Sequence, residues 1–269
     1  MKINYQETTS DLITRINIHD QFGGKNIDEW MLDVLPLKKG MKILDVACGA
    51  GKQCVSFYHE LGGDCDITGV DVSKDLLQKA KQVAEEKEYD IDFEYLDFNK
   101  AFDFEDDEFD LISCCFAIYY AVDIPITIKE MHRVIKPGGR LFTTGPMPEN
   151  KQEFYDIIRE ATGKVIPPMP GSSRYSTEIL DAVKHSFSKV DLKIFGNPLT
   201  FQSADPFLAY TRASLSEDRK LWGDFFTGEE GFSEIIQKIT TVAERRIKEN
   251  GEIVMTKVVG GILATKYSS

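Results

Sequence analysis

The chain has 269 residues, 42% apolar and 28% charged, with a net charge of −12. That length makes one large domain or two small ones and buries enough surface to fold without a disulfide or metal staple. The composition excludes a disordered or collagen-like chain, and the acidic field disfavours nucleic acid and anionic lipid as partners. The cysteines, Cys48, Cys54, Cys65, Cys114 and Cys115, are odd in number and lack a C-x-x-C pair. Reduced thiols in a cytoplasmic protein are therefore expected. Neither an export signal nor a membrane span is expected from the apolar pattern.

Residues 10–35 carry apolar side chains at helical spacing, among them Leu12, Ile13, Ile16, Ile27, Trp30, Met31 and Val34. Gly23-Gly24 divides them into two helices, and Pro36 ends the second. From Met41 strands alternate with helices. Strands are predicted at 42–46, 66–71, 91–96, 110–116 and 140–144. Helices are predicted at 52–61, from a Ser73 cap to about 87, and at 126–135, where Pro137-Gly138-Gly139 stops the last. Such alternation implies βαβ units and a parallel sheet covered on both faces. After Pro146 come helices at 151–162 and 176–187 and strands at 189–195 and 252–265. Mostly helical segments with Trp222, Phe225 and Phe226 lie between those strands. The late strands are expected at an edge of the same sheet. The expected layout is an N-terminal helical cap (1–40), an α/β core (41–145), and edge strands with a helical substrate cap (146–269), integrated in one domain.

The segment Asp45-Val46-Ala47-Cys48-Gly49-Ala50-Gly51-Lys52 follows the first strand. A small-residue turn there lets a ligand lie against bare backbone, and the next helix adds free N–H donors. Twenty residues past Gly51, Asp71 ends the second strand, where a carboxylate can accept both hydroxyls of a ribose. Together these point to an adenosine-type cofactor. The dinucleotide fingerprint G-x-G-x-x-G is incomplete, because Cys54 stands at its third glycine.

Ile43-Leu44-Asp45-Val46-Ala47-Cys48-Gly49-Ala50-Gly51 resembles the first motif of class I S-adenosylmethionine-dependent methyltransferases. The similarity continues through Gly69-Val70-Asp71-Val72-Ser73, Leu96-Asp97-Phe98, Phe109-Asp110-Leu111-Ile112 and Val134-Ile135-Lys136-Pro137-Gly138-Gly139-Arg140-Leu141. It covers about residues 40–145 and is of the small-molecule, ubiquinone/menaquinone-methyltransferase-like type. Ala47 replaces the family's usual glycine. The resemblance implies an α/β, Rossmann-like, doubly wound, seven-stranded and mostly parallel sheet with one antiparallel strand at an edge, plus a helical cap. It also implies S-adenosyl-L-methionine as cofactor and S-adenosyl-L-homocysteine as product. By position, Asp45, Ala47, Gly49 and Gly51 would surround the cofactor's methionine part. Asp71 would take the ribose and Val72 an adenine face. Asp97 would accept from the adenine amino group, Phe98 would offer a backbone donor or ring contact, and Phe116 its carbonyl to the ammonium.

Methyl transfer from a sulfonium is an in-line displacement that needs orientation and exclusion of water. A base is needed only for a nucleophile that starts with a proton. Tyr119 and Tyr120, past the fourth strand, could hydrogen-bond an acceptor or line its pocket. Among the four histidines, His59, His132 and His185 lie on outer helices, while His19 sits at the break between the N-terminal helices and is the candidate catalytic one. Arg15, one turn earlier, could meet the cofactor's carboxylate. The 165–176 loop, with Pro167, Pro168 and Pro170, reads as a lid. It offers Arg174, whose guanidinium suits an anionic group, and Tyr175 as substrate contacts. The acidic run Glu105-Asp106-Asp107-Glu108 reads as a solvated turn rather than a metal site. There is no basic arm and no Asn/Asp-Pro-Pro-Tyr after strand four, so a small-molecule acceptor is expected, with oxygen, nitrogen or carbon as nucleophile and a monomer or homodimer as the working form. The alternatives are a nicotinamide-dependent oxidoreductase and a non-catalytic cofactor-binding protein.

Overall fold

The computed structural model describes residues 9–165, 170–216 and 228–267. Seven strands form one sheet: β1 (Met41–Val46), β2 (Cys65–Asp71), β3 (Asp92–Tyr95), β4 (Phe109–Cys115), β5 (Ile135–Pro146), β6 (Lys189–Phe201) and β7 (Ile253–Thr265). Their spatial order is β3-β2-β1-β4-β5-β7-β6. β1 to β5 pair in parallel, while β7 runs antiparallel to both β5 and β6. The reversed strand thus sits one place in from the edge, and β6 at the edge runs with the parallel set. The order turns about at β1 and β4, which opens a crevice beyond their carboxyl ends.

Helices cover both faces. α2 (Ile27–Val34), α3 (Lys52–Glu60) and α4 (Lys74–Glu86) bury Met31, Phe57, Leu77 and Ala80 against Ile43, Ile67 and Phe142. Ser73 caps α4 as expected, its hydroxyl accepting from Leu76 N. On the other face α5 (Ile124–Val134), with the chain from α7 (Pro170–Arg174) through a π-turn (Tyr175–Ile179) to α8 (Leu180–Ser186), covers Leu44, Ile112 and Leu141. α2 is therefore a layer of the core, although the sequence places it in the N-terminal cap. Its apolar side chains and Trp30, whose ring lies 5.3 Å from that of Phe195, hold it on the sheet.

A second core lies past the sheet's carboxyl edge. β5 ends where Pro146 pairs with Val259, yet β7 and β6 stay paired as far as Ile253 and Phe201. Around this extension pack α1 (Thr9–Phe22), α6 (Gln152–Thr162), α9 (Ala204–Ser216) and α10 (Gly228–Asn250), burying Ile18, Phe154, Phe207, Tyr210 and Ile239. Three of these four helices come from the segment after β5. Trp222, Phe225 and Phe226 lie outside the described residues, as do Pro167 and Pro168 of the expected lid.

Candidate active site

β1 carries Asp45 into the sheet's centre, where it is 2% exposed. Its carboxylate accepts hydrogen bonds from Ser113 Oγ and from Cys54 Sγ. Burial pushes the Asp45 pKa up to about 6, and the charge of Asp71 adds to this, while the two hydrogen bonds oppose it. The chain then turns through three left-handed residues, Ala47 (φ 58°), Gly49 (φ 57°) and Gly51 (φ 76°). The two glycines serve different ends. A Cβ on Gly51 would meet Ala80 and the Phe93 ring at 3.0 Å, so glycine lets α3 settle on the core. A Cβ on Gly49 would meet nothing within 4 Å, so the space above that peptide is open. Ala47 departs from the family's glycine at a position where conformation matters more than room, since the left-handed region costs an L-residue about 1–2 kcal/mol.

Asp71, at the end of β2, bridges two loops. Its Oδ2 accepts from Gly49 N at 2.9 Å and its Oδ1 from Ser73 N at 2.8 Å. Each oxygen keeps a further lone pair for a ligand. Val72 beside it is 59% exposed, an apolar side chain turned outward at the crevice. Beyond β3, Asp97 accepts from the backbone and side-chain N–H of Asn99 and pairs with Lys100 at 3.6 Å. The Asp97 carboxyl sits below its ordinary pKa: burial would raise it, but those partners prevail. Phe98 packs on the core, and its carbonyl accepts from Thr127 Oγ1. Asn99 Oδ1 accepts from Val122 N at 2.7 Å, joining the loops after β3 and β4.

At the end of β4, Phe116 is left-handed (φ 55°) and 39% exposed, its N–H donating to Thr144 O. Strain of this kind gathers at functional sites. Tyr119 and Tyr120 follow on a 3₁₀ turn (Ile118–Tyr120), half-buried, with ring centres 4.7 Å apart. Ala47, Gly49, Asp71, Val72 and Phe116 thus stand at the carboxyl ends of β1, β2 and β4, with Asp45 buried beneath them and the two tyrosines on the next turn.

The two substrate candidates from the lid are structural instead. Arg174 is 15% exposed, donates to the carbonyls of Tyr119 and Ala121 at 2.8 and 3.0 Å, and pairs with Glu178. It pins α7 onto the 3₁₀ turn, so its fork is engaged by the protein. Tyr175 is fully buried. Its hydroxyl donates to Thr143 O at 2.7 Å and accepts from Ile262 N at 3.2 Å, and its ring fills the room left by Gly145 and Gly260. His19 is half-buried, its ring 5.7 Å from that of Tyr210. Burial, then Lys257, Lys151 and Arg15, push its pKa down to about 2. That field disfavours the charged imidazolium and weakens the ring as a base. Arg15 belongs to this cap cluster.

Each carboxylate of the acidic run 106–108 pairs with a basic side chain: Asp106 with Arg133, Asp107 with Lys266 and Glu108 with Lys42. Ser113, Cys54, Lys151, Lys257 and Tyr210 escape the sequence reading. Their one signal is a lysine at 257 inside an otherwise apolar strand. Among the described residues no helix is long and apolar enough to cross a membrane.

Comparison with known proteins agrees with this geometry. Residues 37–182 match the family model described as a methyltransferase domain. The chain is 28% identical over 144 residues to a ubiquinone/menaquinone biosynthesis C-methyltransferase UbiE of Shewanella baltica, covering 52% of this chain and 56% of that one. It is 35% identical over 105 residues to a demethylmenaquinone methyltransferase of Staphylococcus aureus, covering 38% and 42%. The chain thus spans about half the length of the curated relatives it matches. The YcgJ protein of Bacillus subtilis shares the fold, with a TM-score of 0.58 at 18% identity over 90% of this chain and 98% of that one. Because that family model spans more than half of the chain and takes in the strands from β1 to β5, the chain belongs to the methyltransferase domain family.

Proposed function

We propose that this chain transfers the methyl group of S-adenosylmethionine to an oxygen, nitrogen or carbon nucleophile of a small molecule. The observation that carries this is the crevice mouth itself, with open space over Gly49, a carboxylate at Asp71 and the exposed apolar Val72 beside it. Such a mouth fits a ribose flanked by a flat base, with a charged amino acid part over the first turn. Bound there, the cofactor supplies an electrophilic methyl on a sulfonium.

The residues then have separate tasks. Asp71 receives the ribose hydroxyls on its remaining lone pairs, and Val72 covers one face of the adenine. Asp97 and Phe98 bound the other end of that ring. Ala47, Gly49 and Gly51 leave backbone bare along the methionine part, Asp45 supplies negative charge beneath it, and the Phe116 carbonyl meets its ammonium. Tyr119 and Tyr120 wall the acceptor side, and α1, α6, α9 and α10 exclude water above it. Orientation and desolvation carry the rate, and a base is needed only for an acceptor that starts with a proton. The acidic field favours a free small molecule over nucleic acid or a membrane surface, and we place the activity in the cytoplasm, in a monomer or homodimer with its segments integrated in one domain.

The test is a screen of small acceptors with radiolabelled S-adenosylmethionine, run beside thermal shifts with S-adenosylhomocysteine and NAD. Product formation and stabilisation by S-adenosylhomocysteine are expected. Stabilisation by NAD alone would overturn the reading in favour of an oxidoreductase.

A further inference from the structure

The sheet ends on β6, and part of its outer edge is open. Further along the strand the edge is covered. Gly23 bridges to Leu199, and the Asn197 side chain accepts from Lys25 N and donates to Lys25 O. Among the described residues no strand pairs with the outer edge from Lys189 to Phe195. Such an edge presents a row of unpaired N–H and C=O groups to another chain. Side chains alternate along it. Val190, Leu192 and Ile194 share one face, and Leu192 and Ile194 are 38% and 52% exposed. Lys189, Asp191, Lys193 and Phe195 share the other, where only Phe195 is buried. A lysine on an edge ordinarily discourages pairing, but Asp191 stands two residues from Lys193 and supplies its complement.

The open edge fits a second copy of itself in one register. Antiparallel self-pairing must match residues of the same parity. Only alternate residues turn their N–H and C=O outward, and a slip of one residue puts every side chain on the wrong face. The two-fold axis therefore passes at a residue. At Lys189, Asp191 or Lys193 it sets like charges face to face, which is unfavourable. At Val190 it pairs only the start of the strand. At Ile194 or Phe195 it drives the second copy into the stretch already covered by Gly23 and Lys25. At Leu192 it matches the open stretch end to end: Lys189 with Phe195, Val190 with Ile194, Asp191 with Lys193, and Leu192 with itself. Outside the strand, the exposed acids Glu29 and Asp33 of α2 line a cleft of about 350 Å³ together with Phe195. The Leu192 register brings the partner's Lys189 opposite Phe195, at the mouth of that acidic cleft. Lys189 is 73% exposed and gives up only a 3.6 Å pairing with Asp191 to reach it.

We propose that this chain forms a two-fold dimer in which β6 pairs antiparallel with β6 of a second copy, centred on Leu192. The interface gains a backbone ladder, an apolar stripe on one face and an Asp191–Lys193 ion pair on each side of the axis on the other. The two sheets join into one. Because the axis stands perpendicular to the joined sheet, the two crevices open in opposite directions and neither is covered. A ladder this short buries less than a tight permanent dimer does, so association belongs in the micromolar range. None of this depends on the methyltransferase reading.

The test is sedimentation velocity of the whole chain across the micromolar range, for the wild type, Asp191→Lys and Lys193→Asp. The wild type is expected to pass from monomer to dimer as its concentration rises. Each variant sets like charges opposite one another on both sides of the axis and should weaken association roughly tenfold or more. An equimolar mixture of the two variants should dimerise as the wild type does, because the basic edge of one then faces the acidic edge of the other. That recovery also establishes that both variants are folded. A wild type that stays monomeric would overturn the proposal. So would a dimer that persists in both variants, since it would use another surface, and so would a mixture that associates no better than its components.

Discussion

Replacing Asp71 by alanine removes two kinds of interaction, and they can be measured apart. In the free protein the carboxylate accepts from Gly49 N at 2.9 Å and from Ser73 N at 2.8 Å. Hydrogen bonds to a charged group contribute about 1.5–3 kcal/mol each. Gly49 and Ser73 are half-buried, so water can recover part of the loss. The lower end is therefore appropriate, and the stability cost is about 3 kcal/mol. Against the usual range of about 5–15 kcal/mol the variant still folds. The ligand effect comes on top. Losing the ribose contact removes a further ~1.5–3 kcal/mol, a factor of roughly 10 to 150 in Kd for S-adenosylhomocysteine. Urea unfolding reads the first quantity and titration calorimetry the second. A lowered urea midpoint with unchanged Kd would refute the ribose assignment and leave Asp71 as a brace between loops. An unchanged midpoint would refute the argument from the two backbone bonds.

Three further outcomes are expected. Ala47→Gly relieves the left-handed strain, offset by the extra freedom of glycine when unfolded, and should stabilise by about 0.5–1 kcal/mol, raising Tm by roughly 2 °C; a lower Tm would show that the methyl group is packed rather than strained. Because the Asp45 pKa is raised to about 6, its contribution to stability is fully present below the ordinary carboxylate range and lost as pH rises through 6, whereas a ligand's ammonium group held near it favours the ionised form. Calorimetry should therefore show S-adenosylhomocysteine binding weakening below pH 6, by at most about tenfold per pH unit; pH-independent affinity between 5 and 7 would remove Asp45 from the site. Tyr175→Phe should cost about 1–3 kcal/mol by stranding Ile262 N–H, with cofactor affinity unchanged; altered affinity in a stable variant would restore Tyr175 to the site.

The core was legible because its signals are local. A buried strand, a small-residue turn and a capped helix are written within a dozen residues around Asp45, and again around Asp71. The boundaries moved most in β6, predicted to stop at 195 and observed to Phe201, because its last residues pair with β7 beyond the sheet's edge. That extension depends on partners more than fifty residues away, and nothing in the local pattern announces it. The misplaced site residues have the same cause. Arg174 and Tyr175 look like lid residues after a proline-rich loop, but the chain turns back there through a π-turn. Their side chains are thereby spent on the carbonyls of Tyr119, Ala121 and Thr143. His19 lies on α1, yet its electrostatic surroundings include Lys151 and Lys257, far off in sequence. A histidine's pKa follows its field, and a field is a sum over neighbours that only the fold assembles. Cofactor binding in this family is thus readable from short motifs, because backbone geometry does the work there. The side chains of α1, α6, α9 and β7 meet above the sheet only in the fold, and no local pattern announces which of them become neighbours.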